Sequence, residues 1–528
     1  MQSEPLMNPG EPAPTPLDRS VLARTAAGTG WIVGWRMASR LLGVVSALIL
    51  VRLLSPADFG LVALGTTFTV AVDTFSALGV EDALVREPAP SAAMYDTAFT
   101  LTLLRALLTA LLIAAAAVPV AGFFNEPRLA NVLWALSAGM AISGAASVGT
   151  VDFRRDMAFE KEFVLQILPR LISVSVTIAA ALMWRSYWAL IAGILAGRAL
   201  RTGFGYLMHG WRPRLTLAAW HGLIGFSMWS WAVSIVQLLR DRVDIFVVGR
   251  VMSPAAAGVY AIGEEMAALP TTEVVLPLCR ACFSAFAAAG RTGAGTSEAF
   301  MRPVATTFLI TLPAGLGVSL VADPLVSLVF GEKWLVAIPV VQILGVVGAF
   351  MVFGLVASTL LAAFAMLRQV FVITLACLVL RLAVLLLLVG HYGMLGAAVG
   401  ASAGILLEHR LALILVFRRF GLNVMELTRR IWRTVAAACL MAVVLVSCGL
   451  GWTRVEGDAA AVAVALSSAV VVGAVAYATS LIGVWWLSGR PAGAEADLLA
   501  LVVRLVHGVR RRRPPASLEQ ATLQNTGG

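Results

Sequence analysis

Fourteen apolar stretches, each about 20 residues or longer, recur along this chain of 528 residues. An α-helix of about 20 residues crosses the hydrocarbon core of a bilayer. Hydrophobic residues make up 60% of the chain and charged residues only 13%, whereas roughly a quarter of a soluble domain is charged. The sequence therefore excludes a soluble, disordered or fibrous protein and predicts an all-α integral membrane protein. The predicted spans are approximately 31–53, 59–79, 96–120, 129–150, 164–184, 187–208, 222–250, 255–287, 304–322, 336–364, 370–390, 393–417, 431–452 and 459–487.

Basic residues lie mostly on one side of these spans. The termini and the loops after even-numbered spans hold 21 arginines and lysines, whereas the loops after odd-numbered spans hold six at most. Loops rich in Arg and Lys remain in the cytosol, so we expect both termini to be cytosolic. A reading with 12 spans has the same parity, and the choice between 12 and 14 stays open.

The loops are too short for the chemistry of most membrane enzymes. No loop between spans exceeds about 20 residues, so the chain has no long loop with paired carboxylates of the kind that a glycosyltransferase or polymerase needs. The only lysines, Lys161 and Lys333, each follow a glutamate, so the chain has no P-loop. The histidines and cysteines show no complete metal-ligand spacing. We therefore expect a protein that is not an enzyme, with no catalytic residue, metal site or cofactor.

A repeated motif indicates an internal duplication. The first span ends in Arg52-Leu-Leu-Ser-Pro-Ala-Asp-Phe-Gly60, and the seventh ends in Arg250-Val-Met-Ser-Pro-Ala-Ala-Ala-Gly258, at a constant offset of 198 residues. A weaker echo relates residues 124–129 to residues 330–335. Six helices separate the copies, and an even number gives both the same orientation in the membrane. We therefore predict two parallel-repeat lobes of six helices around a central cavity, followed by two C-terminal helices.

The duplication sets the predicted domain organisation and the hinges. The predicted segments are a disordered cytosolic N-terminus (1–30), an N-lobe (31–208), a cytosolic linker (209–221), a C-lobe (222–417), spans 13 and 14 (431–487) and a cytosolic basic tail (488–528). In the tail, Arg510 to Arg513 follow an apolar stretch, which favours an interfacial helix at anionic lipid over nucleic-acid binding. Because Pro breaks a helix and Gly permits a tight return, the predicted hinge residues are Ser55, Pro56, Gly60, Ser253, Pro254 and Gly258.

Charged residues inside the spans point to the cargo. The spans contain eleven basic and seven acidic residues. Each charged side chain costs about 2.5–3.5 kcal/mol in hydrocarbon unless it has a partner or lines a water-filled cavity. A surplus of guanidinium groups suits an anionic cargo, because Arg binds phosphate bidentately and keeps its charge when desolvated. The predicted cavity residues are Arg36, Arg40, Arg105, Asp73, Arg240, Asp244, Glu264 and Glu265.

Several charged residues within the spans have a second interpretation. Arg36 and Arg201 can instead extend to the cytosolic headgroups. Arg240 and Asp244 lie four residues apart on one helix and can pair with each other. The adjacent carboxylates of Glu264 and Glu265 can also bind a coupling cation or a proton.

The motifs resemble one known family. The stretch from Arg52 to Gly60, the stretch from Asp244 to Tyr260 and the segment Phe330-Gly-Glu-Lys-Trp334 are similar to the polysaccharide-exporter branch of the multidrug/oligosaccharidyl-lipid/polysaccharide exporter superfamily. The resemblance covers roughly residues 28–420. It implies a flippase in the bacterial cytoplasmic (inner) membrane that moves undecaprenyl-diphosphate-linked oligosaccharide units by alternating access, for O-antigen, capsule or exopolysaccharide synthesis. Arg36 and Arg40 are the nearest equivalents of the family's cationic cavity.

The resemblance also implies partners and leaves alternatives. The implied partners are the lipid-linked oligosaccharide, membrane lipids, a polysaccharide polymerase and a chain-length regulator, with no nucleic acid. Within the superfamily, a lipid-linked peptidoglycan precursor flippase or a cation-coupled drug exporter remains an alternative. Outside it, the alternative is an integral-membrane polymerase or glycosyltransferase.

Overall fold

The protein is built from helices throughout the part that the structure describes. A computed structural model describes residues 16–76, 79–87, 89–223, 228–292, 295–455, 457–491, 493–496 and 498, and contains no strand in those ranges. The predicted all-α membrane fold is confirmed. Arg510 to Arg513 and the first 15 residues lie outside the described ranges.

The helices form two compact units, residues 1–258 and residues 259–528. The first unit contains α1 (Pro16–Leu53), α2 (Pro56–Phe75), α3 (Val80–Arg86), α4 (Ala92–Phe123), α5 (Arg128–Gly144), α6 (Val151–Arg155), α7 (Phe159–Trp184), α8 (Trp188–Met208), α9 (Trp220–Leu223), α10 (Met228–Val251) and the first residues of α11 (Pro254–Thr292). The second contains the rest of α11, α12 (Thr296–Leu320), α13 (Ala322–Val329), α14 (Ile338–Ala349), α15 (Met351–Ala363), α16 (Leu367–Phe420), α17 (Val424–Ser447) and α18 (Ala459–Leu487).

Each of the fourteen predicted spans overlaps one of these helices or a pair of them. Within the described residues, eight helices are long and apolar enough to cross a membrane, or up to ten if each of two bent pairs is one span. One of the eight, α16, contains a break at Gly393, where φ is 56°. The multi-pass membrane protein is therefore confirmed, and the count of fourteen stays a prediction. Helix α1 begins at Pro16, before the start of the predicted first span.

Small residues let the helices of the first unit approach closely. In the hairpin of α7 and α8, a Cβ atom on Gly193 would lie 1.7 Å from the Thr177 hydroxyl, and the Ser173 hydroxyl donates a hydrogen bond to the Gly193 carbonyl over 2.8 Å. Between α4 and α5, a Cβ on Gly144 would lie 2.2 Å from that of Ala106. Such contacts hold helices together by van der Waals packing, because in a bilayer apolar surface gains nothing by leaving lipid.

The repeated Ser-Pro motif starts a helix in each copy. Ser55 caps α2: its hydroxyl accepts a hydrogen bond from the Asp58 N–H, and the Asp58 carboxylate accepts one from the Ser55 N–H. The other oxygen of Asp58 accepts a bond from the Tyr187 N–H, next to the start of α8. In the second copy Ser253 accepts from the Ala256 N–H. Alanine replaces the aspartate there, so only the hydroxyl half of the cap remains.

The two copies of the motif contact each other through backbone. A Cβ on Gly60 would lie 1.6 Å from the Pro254 carbonyl oxygen, and a Cβ on Gly258 would lie 2.3 Å from the Pro56 carbonyl oxygen. The contact is reciprocal, since each glycine meets the Pro of the other copy. Helix α10 also packs on α2, where Gly249 faces Leu64. The structure thus groups span 7 with the first unit, whereas the sequence assigns it to the C-lobe. The predicted lobes, linker and hinges stay predictions.

Left-handed backbone positions recur between the copies. Asn125, Met157 and Arg185 have φ of 52°, 56° and 46°, and Gly331, Ala365 and Gly393 have φ of 86°, 56° and 56°. Their offsets are 206, 208 and 208 residues. Positive φ is uncommon outside glycine, so three matching positions support the duplication independently of the motif.

A glycine stripe packs the two segments of α16 in the second unit. After the break at Gly393, Gly396, Gly400 and Gly404 follow one face at four-residue spacing, and they meet Leu388, Leu385 and Arg381 of the first segment. The next residue of that face, Glu408, accepts a hydrogen bond from the Thr374 hydroxyl over 3.1 Å. Arg381 and Glu408 are both buried.

Candidate functional site

Two charged residues of the predicted cavity meet in the first unit. Arg105 of α4 donates from Nη1 to the Asp73 carboxylate of α2 over 2.6 Å and to the Asp73 carbonyl over 3.3 Å. The side chain of Arg105 is 23% exposed and that of Asp73 is 41% exposed. Both lie in helices that are long and apolar enough to cross a membrane. The ion pair therefore lies within the spans and is partly exposed.

Two hydroxyl groups complete this cluster. Arg105 Nη1 also donates to the Ser76 hydroxyl over 3.2 Å, and Ser76 donates to the Asp73 carbonyl over 2.8 Å. The Thr109 hydroxyl lies 3.0 Å from that of Ser76. Neither Ser76 nor Thr109 was among the predicted cavity residues. Their spacing could have identified them. Ser76 follows Asp73 by three residues and Thr109 follows Arg105 by four. Residues three or four apart lie on the same face of a helix.

A second arginine adds positive charge to this region. Arg198 of α8 donates to the Leu136 carbonyl of α5 over 3.2 Å. It lies against Gly139, where a Cβ would be 2.9 Å from its Nη1 atom. Arg198 was among the basic residues within the spans but not among the predicted cavity residues. Arg105 binds the Asp73 carboxylate directly, whereas Arg198 binds the backbone of α5.

The predicted arginines of α1 are only partly described. Arg40 is half-buried, and Gly43 lies one turn later on the same helix. The guanidinium of Arg170 of α7 lies beside Gly43, 3.6 Å from where a Cβ would be. The side chain of Arg36 lies outside the described residues. Cavity roles for Arg36 and Arg40 stay predictions.

The remaining predicted cavity residues are distributed over α10 and α11. Arg240 binds the neighbouring Asp241, with Nη2 2.7 Å from the carboxylate. Asp244 is only 1% exposed. On α11, Glu264 is half-buried and Glu265 is exposed. Adjacent helical residues point about 100° apart, so the two glutamates occupy different environments. Their roles, like that of the Arg240–Asp244 pair, stay predictions.

A polar cluster at the predicted cytosolic end of the first unit was not foreseen. Asp152 accepts hydrogen bonds or ion-pair contacts from Tyr95, Arg155 and His209. His209 also accepts a bond from the Trp211 N–H. The cluster joins α4, α6 and the segment after α8, since Tyr95 belongs to α4 and Asp152 to α6.

The predicted linker is attached to α4. The Thr216 N–H donates to the Thr100 hydroxyl over 3.0 Å, and the Ala219 N–H donates to the Thr97 hydroxyl over 3.1 Å. Trp211 packs edge-on against Phe99. The linker therefore lies along this helix rather than free of it.

A family model described as "Polysaccharide biosynthesis protein" matches residues 49–339. This match spans more than half of the chain. The chain belongs to this polysaccharide biosynthesis family. The matched residues include both copies of the Ser-Pro motif as well as Asp73, Arg105, Ser76 and Thr109.

Curated relatives agree with the family. The lipopolysaccharide biosynthesis protein WzxC of Escherichia coli (strain K12) is 26% identical over 333 residues, which are 62% of this chain and 68% of that protein. The succinoglycan biosynthesis transport protein ExoT of Rhizobium meliloti (strain 1021) is 24% identical over 318 residues, 59% of this chain and 64% of that protein. The teichuronic acid biosynthesis protein TuaB of Bacillus subtilis (strain 168) is 20% identical over 336 residues, 62% of this chain and 69% of that protein.

Solved structures show the same fold. The lipid II flippase MurJ in an inward closed conformation has a TM-score of 0.70 and 13% identity, over 87% of this chain and all of that one. A multidrug MATE transporter of the MOP superfamily has a TM-score of 0.59 and 15% identity, over 74% of this chain and 96% of that one. The predicted family is thus confirmed, and this member of it is a multi-pass membrane protein of polysaccharide biosynthesis with a transporter fold.

Proposed function

We propose that this chain is a flippase that moves undecaprenyl-diphosphate-linked oligosaccharide units from the cytosolic to the periplasmic leaflet of the bacterial inner membrane. The observation that carries the proposal is the partly exposed Arg105–Asp73 ion pair inside the helices of a polysaccharide biosynthesis protein. A charged side chain facing hydrocarbon costs about 2.5–3.5 kcal/mol, so an exposed guanidinium favours a water-filled surface. A diphosphate is an anion that such a group binds strongly.

The transport cycle follows from this placement of charge. The diphosphate and sugars would cross on the polar surface of the helices while the polyprenyl tail stays in lipid. The two repeats would alternate access about Ser55–Pro56 and Ser253–Pro254, with both termini in the cytosol. A polymerase and a chain-length regulator would then act on the delivered units. In this proposal the protein changes no covalent bond in its cargo, so it needs neither a catalytic residue nor a cofactor.

Replacing Arg105 or Arg40 by alanine is expected to reduce surface polysaccharide while leaving the amount of protein in the membrane normal. A hydrogen-bonded contact with a charged group contributes about 1.5–3 kcal/mol, which corresponds to a loss of about tenfold to a hundredfold in transport at limiting cargo. The measurement compares surface polymer and membrane protein levels in a strain whose own copy of the gene has been deleted.

Arg128→Ala is the matched control. Arg128 belongs to the same unit and binds Glu126 bidentately at the start of α5, but its side chain is 52% exposed. Arg128 lowers the pKa of the Glu126 carboxyl by donating hydrogen bonds to it, and exposed pairs of this kind contribute less than about 1 kcal/mol. We expect normal surface polymer in this variant. Normal polymer in both Arg40→Ala and Arg105→Ala would contradict the assignment of these two residues.

We further propose that Glu264 and Glu265 bind the cation or proton that drives transport. The Glu264→Gln/Glu265→Gln double variant keeps the shape and removes both charges, so transport in proteoliposomes should lose its response to an imposed ion gradient. Transport without a gradient should persist. An unchanged gradient response in the double variant would refute the coupling role.

A further inference from the structure

The arginine of the ion pair uses only part of its guanidinium. All three hydrogen bonds of Arg105 leave from Nη1, toward the Asp73 carboxylate, the Asp73 carbonyl and the Ser76 hydroxyl. In the described ranges of the chain, Nε and Nη2 donate no hydrogen bond. These two nitrogens form one edge of the planar group, and that edge offers two parallel N–H groups to a single oxyanion.

Two other arginines of this chain show what that edge binds. Arg128 donates from Nε and Nη2 to the two oxygens of Glu126 over 2.8 and 2.9 Å. Arg433 donates from the same two nitrogens to the two oxygens of Glu495 over 2.7 and 3.1 Å. In both residues the edge holds a bidentate oxyanion. Arg105 has the same Nε–Nη2 edge, while its Nη1 is bound to the Asp73 carboxylate.

The hydroxyl groups of Ser76 and Thr109 orient the Arg105 guanidinium, and with it the Nε–Nη2 edge. Ser76 has a single proton, and it goes to the Asp73 carbonyl, which can only accept. The Ser76 oxygen is therefore left to accept from Arg105 Nη1 and from Thr109, whose hydroxyl becomes the donor. Thr109 is only 1% exposed, so its hydroxyl is not positioned to donate to bulk water instead. With Thr109 donating to Ser76 and Ser76 donating to Asp73, the Ser76 and Asp73 oxygens face Nη1 as acceptors.

We propose that Ser76 and Thr109 are positioning residues that hold Arg105 so that its Nε–Nη2 edge binds a phosphate of the cargo. The proposal rests on the proposed flippase function and deepens it by naming the atoms that meet the diphosphate. Asp73 supplies charge balance when no cargo is bound and remains on the opposite edge when the phosphate arrives. The phosphate therefore does not have to displace the carboxylate.

The first measurement is the affinity of the purified full-length protein in detergent for undecaprenyl diphosphate. The second is the initial rate at which the protein flips the undecaprenyl-diphosphate-linked oligosaccharide in proteoliposomes. Thr109→Val, which removes the hydroxyl and keeps the shape, should weaken binding about three- to tenfold with little change in the maximal rate. Thr109→Ser, which keeps the hydroxyl, should bind within about twofold of the unchanged protein. Arg105→Lys, which keeps the charge and loses the paired N–H groups, should weaken binding about tenfold or more.

The combined variant separates positioning from a general packing role. If Thr109 acts through the Arg105 guanidinium, adding Thr109→Val to Arg105→Lys should weaken binding no further, because coupled residues are not additive. Additive losses in the double variant, or unchanged binding in Thr109→Val and Ser76→Ala, would overturn the positioning role while wild-type flipping leaves the proposed function intact. If the unchanged protein neither binds undecaprenyl diphosphate nor flips an undecaprenyl-diphosphate-linked oligosaccharide, the proposed function fails and this inference fails with it.

Discussion

Gly60→Ala is expected to prevent accumulation of folded protein. The new Cβ would lie 1.6 Å from the Pro254 carbonyl oxygen, 2.6 Å from the Pro254 carbonyl carbon and 2.9 Å from the Gly258 nitrogen. All three are backbone atoms, so no side chain can rotate out of the way and the two helix starts must separate. Ordinary overpacking costs about 1–3 kcal/mol, and a backbone clash of this size should exceed that range. The measurement is the yield and melting temperature of the detergent-purified protein.

Gly203→Ala is the control for this substitution. Gly203 lies in α8 of the same unit, and a Cβ there would meet nothing within 4 Å. Alanine favours a helix over glycine by about 1 kcal/mol, so this variant should be as stable as the parent or slightly more stable. Gly258→Ala should behave like Gly60→Ala, because the contact is reciprocal. Normal yield and transport in Gly60→Ala would show that this backbone contact does not exist in the membrane.

Glu495→Ala is expected to destabilise the second unit by about 3–5 kcal/mol. Arg433 of α17 and Glu495, after α18, form a bidentate ion pair whose side chains are only 8% and 3% exposed. Removing one partner leaves the other charge buried and uncompensated, which is the costly outcome for a buried pair. The cost should appear as a lower melting temperature and a lower yield of purified protein.

Two further variants show whether the charge or the volume is responsible. Arg433→Met with Glu495→Met removes both charges and should recover most of the lost stability, because a buried pair contributes little over apolar packing. Glu298→Ala removes one partner of Arg430 at an exposed site, with Glu298 58% exposed, and should cost no more than about 1 kcal/mol. A double variant as unstable as Glu495→Ala would mean that the shape of these side chains, and not their charge, holds the segment.

Helix positions and the duplication were predictable because they depend on local patterns. Each predicted span overlaps a helix because apolar runs are local patterns. The Ser-Pro motif located both copies, since a helix break and its cap are encoded within a few residues. Asp73 and Arg105 were recognised individually, because charge inside an apolar run needs no knowledge of the fold. Their pairing was not predictable, because 32 residues separate them and only the packing of α2 on α4 brings them together.

Hydroxyl residues were the main omission. Ser76 and Thr109 occur in apolar helices beside many serines and threonines that only bond to their own helix, as Thr66 and Ser402 do. Their role depends on which neighbour faces them, and a single sequence does not contain that information. The cluster around Asp152 was missed for the same reason, because Tyr95, His209 and Asp152 come from three separate segments.

The reciprocal contact of Gly60 and Gly258 has a consequence for how the duplicated halves can drift apart. Gly60 packs against the equivalent segment of the other copy. A larger residue at Gly60 therefore requires a compensating change around Gly258, so each half restricts which substitutions the other can accept. Asp73 and Arg105 bear no such mutual restriction, and the equivalents at the 198-residue offset are uncharged, with Thr271 in place of Asp73. Substitutions are therefore restricted where the two copies pack against each other, whereas the positions of Asp73 and Arg105 can differ between the halves, as they do in this chain.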